Sequence, residues 1–443
     1  MSFSISRRVL QPPRPILLGV TTYKYRRRRC SYSTSSSTST AAAATAAADN
    51  PNTTAKAAVD VDDLDPAAAS TLPKNFGTNQ HMYVNDEMKE RLRSVLWEFK
   101  APVRYAVAYG SGVFSQGTTK PSGQKPMIDL IFGVTYSQHW HSLNLQQHRD
   151  HYSFLGNMGS GVVSMVQDRL GAGMYFNPYV EINGVMVKYG VVNIETLCRD
   201  LSDWNSLYIA GRMHKPVKIL RNDPRVLLSN HVNLLSAVRV ALLLLPETFS
   251  EHQLYTTIAG LSYMGDPRMS LPAENPHKVA NIVNSQLANF RRLYLPLIQQ
   301  LPNVHFVKEN LSWNDQATHT MLQQDMDPVR RGNMVRRLPT KFRERLYFQY
   351  QRKFAIPRLE FRKMIGVSED DERVSKKQGG VFEQRIAADL ANLRGEVGAV
   401  ITKTVKWPST VQSLKGILSA GPIKSWKYLG EKIAKWKESK RSS

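Results

Sequence analysis

Arg104-Tyr105-Ala106-Val107-Ala108-Tyr109-Gly110-Ser111-Gly112 reads as a short apolar strand that runs into a turn of small residues. After a Gly/Lys/Pro-rich stretch from Gln116 to Pro126, Met127-Ile128-Asp129-Leu130-Ile131-Phe132 reads as a second strand with one acid among apolar neighbours. Small residues at Gly110, Ser111 and Gly112 let backbone N–H groups come close to phosphate oxygens, and Ser111 adds a hydroxyl donor. The carboxylate of Asp129 could hold Mg²⁺ against the same phosphates. A Gly-Ser-Gly alone is usually just a turn. Followed by an apolar-flanked Asp in a strand, it points to a nucleotidyltransferase.

Downstream, Tyr175–Ile182 and Val185–Val192 flank Asn183-Gly184, a hairpin signal. Upstream, Leu92, Val95, Leu96 and Phe99 make a helical stripe. Helical patterns cover about 138–155 and 160–170, and from about 226 to 300 the chain reads as nearly all helix. Residues 328–363 are basic and aromatic; that mixture suits either phosphate contact or a solvated helix with one packed face.

The 443 residues suffice for two or three domains, and the two cysteines, Cys30 and Cys198, exclude a disulfide scaffold and a Cys-based zinc ribbon. The longest uninterrupted apolar run, Val240 to Leu245, falls short of the roughly 20 residues of a spanning helix. The net charge of +23 suits phosphate-rich partners such as nucleotides, nucleic acid or an anionic membrane.

That charge is concentrated at the two ends. Residues 1–48 hold Arg7, Arg8, Arg14, Lys24 and the run Arg26-Arg27-Arg28-Arg29 with no acid, amid Ser, Thr and Ala, which reads as a mitochondrial transit peptide. The alternative is a disordered arm that binds nucleic acid. Residues 49–75 read as a linker. From Val400 onward ten Lys or Arg face only Glu431 and Glu438. There Trp426, Leu429, Ile433 and Trp436 align on one helical face, and Trp407, Val411, Leu414 and Leu418 form a second stripe across Gly421-Pro422. Basic amphipathic helices with tryptophan on the apolar side lie in membrane interfaces, whereas a terminal helix docked on its own core would show a similar pattern. The mildly basic middle argues against a large nucleic-acid groove.

Several motifs in order carry a family resemblance: Tyr109-Gly110-Ser111-Gly112-Val113-Phe114, Met127 to Phe132, Trp140-His141-Ser142-Leu143-Asn144-Leu145 and His151-Tyr152-Ser153-Phe154-Leu155. Lys188-Tyr189-Gly190-Val191, Trp204 to Arg212, Lys215-Pro216-Val217-Lys218, Ala259-Gly260-Leu261-Ser262-Tyr263 and Ser413-Leu414-Lys415-Gly416-Ile417 continue it. Together they resemble the mitochondrial phosphatidate cytidylyltransferases, also called mitochondrial translocator assembly and maintenance proteins. The resemblance implies an α+β chain: a polymerase-β-like nucleotidyltransferase domain over 76–225, a helical winged-helix-like domain over 226–330, and a region over 331–443 ending in a basic amphipathic tail. It implies CTP and phosphatidic acid as substrates, CDP-diacylglycerol and pyrophosphate as products, Mg²⁺ as cofactor, and a peripheral site on the matrix side of the inner mitochondrial membrane, in the route to cardiolipin. An RNA-directed nucleotidyltransferase and a non-catalytic assembly factor for translocases are the competing expectations.

Within that frame Asp129 is expected to be catalytic and to bind the metal, with Gly110, Ser111 and Gly112 on the nucleotide. The wider superfamily carries a second acid two positions later, where this chain has Ile131, and its spacing from turn to acid is usually shorter. Asp200 and Glu181 are the candidates for another metal contact. Lys188, mid-strand, would neutralise triphosphate charge. Tyr208 and Arg212 are expected at the nucleotide; His141, Lys215 and Lys218 at phosphatidate or phosphate. The histidines His139, His141, His148 and His151 invite a zinc reading, but Trp140 and Tyr152 between them favour packing.

Overall fold

Five strands, apolar on both faces, build the sheet that carries the site. In the computed structural model, which describes residues 72–73, 75–114, 127–270, 277–307, 320–370 and 379–441, these are β1 (Tyr105–Tyr109), β2 (Ile128–Val134), β3 (Met174–Ile182), β4 (Val185–Asn193) and β5 (Lys218–Arg221). The order is β3-β4-β2-β1-β5, with β2 and β4 parallel and the other neighbours antiparallel. The β3–β4 hairpin turns at Asn183 and Gly184, whose φ values of 50° and 73° are those a two-residue primed turn requires. Four of the strands follow the sequence reading. The fifth was missed: it has four residues, with Lys218 and Arg221 at its ends.

Both faces of the sheet are covered. Ala106, Ala108, Leu130, Phe132, Val187 and Tyr189 pack with Leu92 and Val95 of α1 (Asp86–Trp97) and with Trp140 of α2 (Ser137–Gln147). The intervening residues Tyr105, Val107, Ile131 and Val192 face α4 (Ile194–Asp203) and α6 (Pro224–Leu244). Between them lie α3 (Ser160–Arg169) and the single turn α5 (Ala210–Met213). The helix expected over 138–155 ends at Gln147 and gives way to two 3₁₀ turns, Arg149–His151 and Phe154–Met158.

The helix starts have local causes. Asn85 caps α1, Asn193 caps α4, and Asp223 with Pro224 behind it opens α6. Each side-chain cap is worth about 1 kcal/mol. α6 is long and apolar enough to cross a membrane by composition, yet it is a core helix, with Leu234, Val238, Ala241 and Leu242 fully buried.

The region expected to be helical from 226 contains α7 (Glu251–Gly260), α8 (Lys278–Ser285) and α9 (Leu287–Ile298). It also contains a three-stranded antiparallel sheet of β6 (Thr248–Ser250), β7 (Val304–Phe306) and β8 (Met321–Gln324), ordered β6-β8-β7. Then come α10 (Pro328–Arg336), α11 (Thr340–Lys353), α12 (Arg358–Asp370), α13 (Val381–Ala388) and α14 (Leu390–Arg441). One cluster of buried hydrophobic residues has members from Met82 to Val405.

In the basic 328–363 segment, Arg331 and Arg336 are buried, and Arg345 donates to the carbonyls of Trp204 and Asn205. Phe342, Leu346 and Tyr350 form its packed face. α14 breaks at Gly421, whose φ of 78° is open to glycine, so the break falls where Gly421-Pro422 separates the two stripes. Its inner face packs through Val397, Val400, Ile401 and Val405, while Trp407, Leu414 and Leu418 are exposed. Lys415, counted with the basic tail, belongs to the inner face: the residue is 2% exposed, and its ammonium donates to the carbonyls of Val166, Gln167 and Leu170, closing the end of α3. The reading of residues 1–48 and the side chains of Trp426, Leu429, Ile433 and Trp436 lie outside the described residues.

Candidate active site

Strand register assembles the first half of the site. Tyr109 on β1 sits opposite Asp129 on β2, and Asp129 sits opposite Lys188 on β4, so the three form one row across the sheet. The Lys188 Nζ lies 3.6 Å from Asp129 Oδ1, and both side chains are about a quarter exposed, at 23% and 26%. The same ammonium stands 4.7 Å from the centre of the Phe176 ring. An acid and an amine each about a quarter exposed remain reachable by a ligand.

The turn that follows β1 closes over that row. Gly110 has a φ of 83° and its carbonyl accepts from the N–H of Val113 and of Phe114. A Cβ placed at Gly110 would come 3.1 Å from Asp129 Oδ2; one at Gly112 would come 2.4 Å from the carbonyl oxygen of Met127. The first glycine is therefore needed for conformation and for space beside the carboxylate, the second for space against β2. Ser111, between them, is exposed.

The loop from Trp204 to Arg212 supplies the second half. Arg212 lies 3.8 Å over the Tyr208 ring and hydrogen-bonds Tyr109, which ties the loop to the strand row. Burial, then the negative charge of Asp129, pushes the Tyr109 hydroxyl pKa up; Arg212 and Lys188 pull the other way. Tyr109 thus stays a neutral hydroxyl between an acid and two cations.

Asp200 does not join this group, and its reading as a metal contact is corrected. Its carboxylate is 3% exposed. Oδ1 accepts from the N–H and hydroxyl of Ser206 and the N–H of Leu207, and Oδ2 from the N–H groups of Ile209 and Ala210. Five donors leave neither oxygen for a cation. They instead hold a strained backbone, with φ of 56° at both Trp204 and Leu207. Asp200 shapes the loop that presents Tyr208 and Arg212. Glu181 lies exposed at the hairpin end of β3, opposite Met186.

Two expected phosphate contacts are corrected as well. His141 is fully buried, with Nδ1 2.8 Å from the Tyr152 hydroxyl and Nε2 2.8 Å from Gln167 Oε1, and burial lowers its pKa to about 4. A neutral imidazole with both nitrogens engaged is a core residue. Lys218 pairs with Ala108 on β1, between the large-core residues Val217 and Ile219, so alternation puts it on the sheet face away from Asp129. Lys215, in contrast, is adjacent to Arg212, which helps to lower its pKa to about 7, although burial contributes more. The histidine cluster gains a member: ligand atoms of His148, Asp150 and His151 lie within 4.8 Å of one another, and the two imidazole rings stack.

The sequence reading quoted Ser262 and Tyr263 in a motif without giving them a role, and it missed Arg268 and Lys278. Ser262, Tyr263 and Lys278 gather beside Lys215, and the charge of Arg268 is felt at Arg212. No local pattern brings 215, 262 and 278 together; the packing of α5 against the 261–263 turn does.

Asp129 offers a hard oxygen donor, about a quarter exposed, beside the Gly110 turn. Mg²⁺ is commonly held by one or two carboxylates and the substrate's own phosphates, so the residues present fit that ion. The family model for mitochondrial phosphatidate cytidylyltransferase matches residues 92–435. The curated enzyme of that name from Schizosaccharomyces pombe is 38% identical over 378 residues, covering 83% of this chain and 89% of that one. The Mus musculus enzyme is 36% identical over 349 residues, 78% and 94% of the two chains. That from Saccharomyces cerevisiae is 47% identical over 234 residues, 52% and 60%. The match spans the strand row, the turn and the loop alike, and the chain belongs to the mitochondrial phosphatidate cytidylyltransferase family.

Proposed function

We propose that this chain is a CTP:phosphatidate cytidylyltransferase, making CDP-diacylglycerol and pyrophosphate for cardiolipin synthesis in mitochondria. The observation that carries the reading is the row Tyr109, Asp129, Lys188 beneath the Gly110 turn, in a chain of this family. A phosphate oxygen of phosphatidate attacks the α-phosphorus of CTP. A new P–O bond forms, the bond from the α-phosphorus to the bridging oxygen breaks, and pyrophosphate leaves with that electron pair. A phosphomonoester is already largely dianionic near neutral pH, its second pKa being about 6, so the acceptor needs no strong base. That relaxes the demand for a second carboxylate, at the position where Ile131 stands.

Lys188 and the turn over 110–112 would take up charge on the departing pyrophosphate. Arg212, held flat on Tyr208, would face the transferring phosphoryl group. Mg²⁺ bound at Asp129 would supply Lewis-acid charge neutralisation. The polymerase-β-like and winged-helix-like assignments belong to this proposal, supported by the mixed five-stranded sheet and by the small antiparallel sheet set among helices. So does a peripheral site on the matrix side of the inner membrane, supported by the exposed stripe of Trp407, Leu414 and Leu418 on α14.

The test is the full chain with phosphatidate liposomes, Mg²⁺ and CTP labelled either at the α- or at the γ-phosphate. Label in the lipid from the α position alone supports the reading. No lipid label, with liposome binding intact, would favour the assembly factor.

A further inference from the structure

Beyond the strand row, four cations from three separate segments come together. Lys215 Nζ donates to the Gly211 carbonyl at 2.6 Å and to Ser262 Oγ at 3.0 Å, and lies 4.8 Å from the Tyr263 ring centre. Lys278, from the start of α8, stands 5.3 Å from the same ring. Arg212 feels the charge of Arg268, and Lys215 those of Arg212 and Lys278. The carboxylate in this group, Asp266, is bound on both oxygens by Arg268. The approach is built in: a Cβ at Gly211 would come 2.2 Å from the Cβ of Ser262, so any side chain there would push the 261–263 turn away from Lys215.

We infer that Arg212, Lys215, Ser262 and Lys278 form the subsite for the phosphomonoester of the acceptor lipid, apart from the triphosphate at the Gly110 turn. The inference rests on the proposed transfer to phosphatidate and names where that substrate's phosphate sits. In-line displacement places the attacking oxygen and the leaving pyrophosphate on opposite sides of the α-phosphorus. The reaction therefore needs two poles of positive charge with a bridge between them. The strand row and the turn are one pole, the 215–278 group is the other, and Arg212 touches both: Tyr109 on one side, the field of Lys215 and Arg268 on the other.

A second observation places this pole on the lipid side. The turns bearing Ser262 and Arg268 rest on α14: a Cβ at Gly265 would come 2.7 Å from Thr402 Cγ2, and the methyl of Met264 lies against Gly398. The same helix carries the exposed stripe of Trp407, Leu414 and Leu418. One rigid element thus supports both the apolar surface suited to acyl chains and the cations suited to their phosphate.

The test is steady-state kinetics of the full chain in detergent mixed micelles, with CTP and phosphatidate varied separately, for the wild type, Lys215→Met and Lys278→Ala. Thermal midpoints confirm that each variant is folded, and Lys278→Ala keeps the test decisive if Lys215→Met is not. Losing one charge-assisted contact to phosphate should raise KM for phosphatidate about tenfold, with KM for CTP within about twofold. Glycerol 3-phosphate, a soluble head-group probe, should compete with phosphatidate in the wild type and weaken in the variants, while pyrophosphate inhibition against CTP stays the same. A raised KM for CTP with weaker pyrophosphate inhibition would assign the cluster to the triphosphate and overturn the inference, leaving the proposed reaction standing. Unchanged constants would overturn it too. A wild type that makes no lipid product would remove the reaction itself.

Discussion

Asp129 and Asp200 are both acids in segments that resemble the same family, and the fold treats them oppositely. On the strand, Asp129 has one amine at 3.6 Å and keeps an open side. In α4, Asp200 is sealed under five donors from residues 206–210. A carboxylate with unengaged lone pairs at a quarter-exposed position is available to a ligand. One whose lone pairs are filled by the backbone is a structural anchor, and its contribution appears in stability before it appears in rate.

Asp200→Ala gives the largest expected effect on the structural side of that contrast. Removing the acceptor strands five buried donors and releases two residues at φ 56°, a loss of roughly 3–5 kcal/mol that chemical denaturation would record. Full stability in that variant would break the comparison. Gly110→Ala sharpens it from the other side. Its Cβ would sit 3.1 Å from Asp129 Oδ2 in a left-handed backbone, so a stability loss of about 1–2 kcal/mol should accompany a kcat decrease of about tenfold or more.

Lys415 offers a pH test of the way α14 is held. Burial depresses its pKa to about 7 from 10.5, so between pH 7 and about 10 the unfolded chain binds more protons at this residue than the folded one. Stability should therefore rise with pH above 7, and the penalty for burying the charged amine should be fully present below it. Lys215 contributes with the same sign, so Lys415→Met should flatten the slope of thermal midpoint against pH between 7 and 9 without abolishing it. An unchanged slope would mean that the ammonium is not confined against the α3 carbonyls. Trp407→Ser acts on membrane binding rather than on the fold or the rate. Its exposed ring should contribute about 1.5–3 kcal/mol to insertion in anionic liposomes, read by co-sedimentation, with activity on micellar substrate unchanged.

Much of this was legible in the residues. Short apolar runs gave β1 and β2, Asn183-Gly184 gave the hairpin of β3 and β4, and Gly421-Pro422 gave the break in α14, because each is a local signal read over a few positions. The pairing of Asp129 with Lys188 depends on strand register. The gathering of Lys215, Ser262 and Lys278 depends on the close approach that Gly211 permits. Neither leaves a mark in local spacing. His141, Asp200 and Lys218 were misplaced for one reason: a polar residue near a phosphate motif reads as a ligand until its own partners are visible. Burial and donor counts decide such residues, and both are properties of the packed chain.

The most direct test of the strand row is the rate of lipid labelling from α-labelled CTP by the wild type and Asp129→Asn, at saturating Mg²⁺, with thermal midpoints measured on the same samples. A fall of about a thousandfold or more with a nearly unchanged midpoint is expected, since a group that contacts the reacting phosphates is lost from a partly exposed position. Full activity in Asp129→Asn would contradict the account and move the chemistry away from this strand.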